Sequence, residues 1–127
     1  MKYILISILL LAGCVNIPQP YDNNLYDKYV KATIGLFNAM NRCEDSRDAV
    51  ISNVQGTVIF LNEALLYNKY HGNEKPLADV TETVRDDLNT FLKFYTPEST
   101  VTYCRLKMST QIEALVDIVK AVGGKQP

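Results

Sequence analysis

The chain reads as an all-α protein, an antiparallel four-helix bundle, and three observations carry that reading. Apolar residues recur at alternating steps of three and four along four successive segments, the spacing that gathers side chains on one face of a helix. Each segment is about 20 to 26 residues long and is bounded by residues that cap or stop helices. The connections between segments are short, which makes sequential neighbours antiparallel. Composition agrees: 127 residues, 47% apolar and 21% charged with a net charge of -1, describe one ordinary folded domain.

The first helix is expected over about 23–43, with Tyr26, Val30, Thr33, Phe37 and Met40 as its buried stripe. Asp45 and Ser46 are suitable N-caps for the second, placed at about 46–70 on the stripe Ile51, Val54, Val58, Leu61 and Leu65, which stops at His71 and Gly72. No Gly or Pro separates these two segments, so they are either distinct helices or one helix continuing through 43–46. Pro76 suits the first turn of a third helix, about 76–95, with Leu77, Val80, Val84, Leu88, Phe91 and Tyr95 inward. Thr96 as N-cap and Pro97 at the first helical position open a fourth, about 97–122. Its stripe is Val101, Cys104, Met108, Ile112, Leu115, Val119 and Val122, ending at Gly123 and Gly124.

The segment before the first helix has a different character. Lys2 supplies a positive charge, Ile4 to Leu11 form an apolar run interrupted only by Ser7, and the small residues Ala12 and Gly13 precede Cys14. This is the layout of a secretory signal, and the run is far shorter than the roughly 20 residues a membrane-crossing helix needs. The quartet Leu11-Ala12-Gly13-Cys14 resembles the lipobox of bacterial lipoproteins. The resemblance implies that residues 1–13 are removed as a signal peptide and that Cys14 is lipidated and becomes the first residue of the mature chain. By the same family's sorting pattern, Val15 in place of Asp implies the outer membrane of a Gram-negative envelope, facing the periplasm. In a host with a single membrane the motif implies its outer surface. Residues 14–22, with Pro18 and Pro20, then read as a lipidated tether able to span up to about 25 Å, followed by the domain at 23–124 and a short tail at 125–127.

With Cys14 committed to lipid, Cys43 and Cys104 remain as an even pair in a compartment that permits disulfides. Bundle topology puts the end of the first helix and the start of the fourth at the same end, away from the tether, so a Cys43–Cys104 bridge is expected. A fourth helix starting at residue 97 would place Cys104 two turns in and require a vertical offset between the helices.

Chemistry is sparse. His71 stands in the turn sequence "KYHGN" with no nucleophile nearby in sequence, and no CxxC, CxxCH or glycine-rich phosphate loop occurs. Glu63 and Glu113 lie in helices but lack the Glu-x-x-His partners of a dimetal site, and Asp86 and Asp87 splay to different sides of one helix. No cofactor and no metal are expected, and a non-enzymatic role is favoured over an envelope hydrolase. Mixed charges without a basic run give no footprint for nucleic acid. Tyrosine is the compositional oddity: Tyr21, Tyr26 and Tyr29 begin the first helix and Tyr67 and Tyr70 end the second, so topology gathers them at the tethered end. An apolar ring with a polar tip suits interfaces, which makes Tyr26, Tyr29, Tyr67 and Tyr70 candidate partner-binding residues. The expected role is therefore binding of another envelope protein, with carriage of an apolar small molecule or lipid inside the bundle as the alternative.

Overall fold

The structure, a computed structural model, describes residues 22–72 and 74–124; the signal segment, Cys14, Tyr21 and the tail at 125–127 lie outside the described residues. Four helices follow in order, α1 (Asn23–Asn41), α2 (Arg47–His71), α3 (Lys75–Phe94) and α4 (Val101–Gly123). Each packs against its neighbours in a closed ring, α1 on α2 and α4, α3 on α2 and α4, and this is an antiparallel bundle. The α1–α2 pair is the most intimate and the α3–α4 pair the least.

Local chemistry sets the helix ends. The Asp22 carboxylate accepts from the backbone N–H groups of Asn24 and Leu25 at 3.0 and 3.2 Å, satisfying two donors that α1 cannot use internally. Helices α1 and α2 are distinct: a turn over 42–46 separates them, and the Ser46 hydroxyl accepts from Ala49 N–H at 3.1 Å. At the α2–α3 turn the buried Asn68 replaces a side-chain cap. Its amide donates to the Glu74 carbonyl at 3.0 Å and its oxygen accepts from the Glu74 N–H at 3.1 Å, tying the two helix ends together.

Helix α4 starts four residues later than the sequence pattern predicts. Thr96 and Ser99 close a turn instead, with Thr96 N–H donating to the Ser99 hydroxyl at 2.9 Å and Ser99 N–H to the Thr96 carbonyl at 3.0 Å. The cap is Thr100, whose hydroxyl accepts from Tyr103 N–H at 3.0 Å. Pro97 therefore serves the turn, where a fixed φ is equally suitable. Cys104 consequently lies in the first turn of α4, level with Cys43 just beyond α1, and the expected vertical offset is not needed. The two form a disulfide with Cα atoms 5.8 Å apart.

The core stripe of α1 is also one residue out of phase with the expected one. Leu25, Tyr29, Ala32, Leu36 and Ala39 face inward, with Thr33, whereas Phe37 is exposed and Tyr26, Val30 and Met40 are half-buried flanks. Small residues occupy the inward line because α1 and α2 approach closely. The Thr57 hydroxyl of α2 donates to the Ala32 carbonyl at 3.1 Å, and a Cβ built on Gly35 would collide with that same hydroxyl. Gly35→Ala is accordingly expected to destabilise by about 1–3 kcal/mol in urea unfolding. Gly56→Ala, which meets open space, should instead stabilise by up to about 1 kcal/mol through helix propensity.

Candidate functional site

The four tyrosines singled out in the sequence do not form one surface. Tyr29 is a correction: it is fully buried, and its hydroxyl crosses the core from α1 to within 2.6 Å of Thr81 Oγ1 on α3. Thr81 spends its own proton on the Leu77 carbonyl at 2.7 Å, so Tyr29 is the donor in this pair. Burial raises the Tyr29 phenol well above the ordinary tyrosine range. Such a residue holds the core together and presents nothing to a partner. Tyr26 is half-buried at the core edge, and its ring sits where a Cβ on Gly123 would be, which lets the start of α1 close against the end of α4.

Tyr67 and Tyr70 diverge as well. Tyr67 is half-buried and stacks on His71 with ring centroids 4.1 Å apart, while His71 Nδ1 lies 3.1 Å from the Tyr67 carbonyl. His71 is thus engaged by its own helix end. Tyr70 is 70% exposed, with Lys69 Nζ 5.6 Å from its ring centroid. Of the candidates, Tyr70 is the most available to another molecule.

What sequence periodicity overlooked is a set of apolar side chains off the core stripes. On α2, Ile59 and Leu66 are more than half exposed and share the outward face with Tyr70. At the opposite end, Phe94 of α3 and Leu106 of α4 are each about 60% exposed. Leu106 stands over a cleft of about 340 Å³ between α3 and α4, where those helices meet least. Buried Leu88, Phe91 and Met108 form its apolar lining. Gln111, largely buried, closes one end by donating to Asp87 at 3.2 Å, and Tyr103, stacked on Phe91 with centroids 5.9 Å apart, closes the other. Lys107 lines the cleft beside Leu106 with its ammonium over the Tyr103 ring, and Arg105, one residue before Leu106, pairs with Glu44 at 2.9 Å. The signal for this surface was present in the sequence as apolar residues, Leu106 between Cys104 and Met108 above all, that a single buried stripe does not absorb.

The disulfide, the Arg105–Glu44 pair and the Arg47 donation to the Tyr95 carbonyl at 3.0 Å all brace the end of the bundle where the cleft opens. The chain enters at the other end, at Asp22. Glu63 faces Lys28 at 3.7 Å on the outside of the α1–α2 pair, and among the described residues no three His, Cys, Asp or Glu side chains gather as metal ligands. Among the described residues α2 is long and apolar enough, by length and composition, to cross a membrane; in this fold one side of it forms the core with the other three helices. The chain matches no protein-family model, no curated protein and no solved structure.

Proposed function

We propose that this chain is a lipoprotein held on the cell envelope through lipid on Cys14, in a Gram-negative host on the periplasmic face of the outer membrane. Its helical domain acts by binding another envelope protein rather than by catalysis. The observation that carries the binding role is the cleft between α3 and α4, where exposed Leu106 stands beside an apolar lining at the end opposite the point of chain entry. Exposed apolar side chains gathered at a cleft mark interaction surfaces more often than scattered ones do. Lys107, on the cleft wall beside Leu106, favours a partner segment in which a carboxylate adjoins an apolar anchor. The anchor reading rests on Leu11 to Cys14 after the short apolar run. Anchoring adds to the binding role, because confinement to one membrane raises the effective concentration of both partners and lets a modest interface suffice.

A photo-reactive amino acid at Leu106, activated in intact cells, tests the reading. One envelope protein should be captured, and Lys107→Glu should reduce the capture at least fivefold; no capture, or capture indifferent to Lys107, would reject the cleft. Tyr67→Ala and Tyr70→Ala read the tyrosine end in the same assay. Undiminished capture with both removes those residues from the partner site.

A further inference from the structure

The outward face of α2 is unusual for a helix on the surface of a bundle. No Asp, Glu, Lys or Arg occurs from Ala49 to Asn62, and the ridge diametrically opposite the core carries Asp48, Ser52, Gln55, Ile59, Leu66 and Tyr70, flanked by Asn62 and Glu63, which pair with Arg85 of α3 and Lys28 of α1. Among these, Ile59, Leu66 and Tyr70 are large and more than half exposed. A solvated helix face ordinarily carries charges at these positions. We propose that this ridge pairs with the same ridge of a second copy of the chain, antiparallel, about a two-fold axis through Ile59.

Charge and polarity along the ridge select both occupant and direction. With Ile59 on the axis, Ser52 faces Leu66 of the second copy, a small side chain against a large apolar one. Asp48 faces the Tyr70 hydroxyl of the second copy, and the Lys69 ammonium stands beside that ring. Both ends of the contact thus match an acid with a cation. A parallel pairing in the same register would set Asp48 against Asp48 and Lys69 against Lys69, which is repulsive at both ends. A two-fold contact requires a surface complementary to itself, and this ridge meets that requirement in the antiparallel sense alone. A lipid surface fits less well, since Asp48, Ser52 and Gln55 on the ridge would lose water without gaining partners.

The test uses the full chain carrying Cys14→Ser, which removes that thiol whether or not it is lipidated, so the outcome is independent of the anchor. Sedimentation in mild detergent should show a dimer. Ile59→Asp should weaken self-association at least tenfold with circular dichroism unchanged, while Leu106→Asp, equally exposed but on the cleft, should leave it unaffected. Oxidative crosslinking reads the direction without relying on Ile59. A mixture of Ser52→Cys and Leu66→Cys chains should give far more covalent dimer than either chain alone. A monomer, a dimer indifferent to Ile59→Asp or lost with Leu106→Asp, or Ser52→Cys chains that crosslink among themselves would each overturn the proposal.

Discussion

Replacing Cys43 and Cys104 together with serine is expected to lower the melting temperature by roughly 15–30 °C. The bridge closes a loop of sequence separation 61, and the chain-entropy relation gives about 4 kcal/mol for a loop of that size. In a domain of about 100 residues each kcal/mol corresponds to roughly 4–8 °C. The effect is large because the bridge joins α1 to α4 at the end where the 42–46 and 95–100 connections also lie, so its loss frees several segments at once. Melting curves with and without a reductant check it: the reductant should shift the parent protein by a similar amount and leave the double variant unmoved. A shift of only a few degrees in the double variant would show that burial of Leu36, Ala39 and Met108 already fixes this end.

Tyr29 gives the second result. Truncation by Tyr29→Ala should cost about 3–5 kcal/mol, the range for removing a buried aromatic ring. Tyr29→Phe should cost only about 1 kcal/mol, because Thr81 still donates to the Leu77 carbonyl and only the bond from the phenol is lost. The pH dependence follows from the raised phenol. Between the ordinary tyrosine value near 10 and the higher folded value, the unfolded chain has released this proton and the folded chain still holds it. Stability contributed by the neutral phenol is therefore complete below pH 10 and falls as pH rises above it, by at most about 1.4 kcal/mol per pH unit. Urea unfolding at pH 9 and 11 should show a steeper loss in the parent protein than in Tyr29→Phe. Equal slopes would place the phenol in contact with solvent.

Helix number, direction and the cysteine pairing were legible because they rest on long periodic patterns and on parity. The inward line of α1 was not. Reading by hydrophobic bulk favours Tyr26, Phe37 and Met40, yet a close α1–α2 approach needs Ala32, Gly35 and Ala39 at the contact and pushes bulk to the flanks. The start of α4 is ambiguous in the sequence because Thr96-Pro97 and Thr100 are both competent N-caps, and the turn that Ser99 closes decides between them. Tyr29 and Tyr26 are neighbours along the chain, yet three residues round a helix carries one ring to the centre and leaves the other at the edge. The cleft beside Leu106 was invisible for a further reason: it depends on how far apart α3 and α4 stand, which periodicity does not encode.

Everything proposed about the protein's place in the cell hangs from one residue. Metabolic labelling with radioactive palmitate in intact cells, followed by immunoprecipitation, measures it directly. The wild-type chain should carry label and Cys14→Ser should carry none, with the unlabelled variant stalled or released from the membrane. Label retained on Cys14→Ser, or none on the wild type, would contradict the anchor at Cys14.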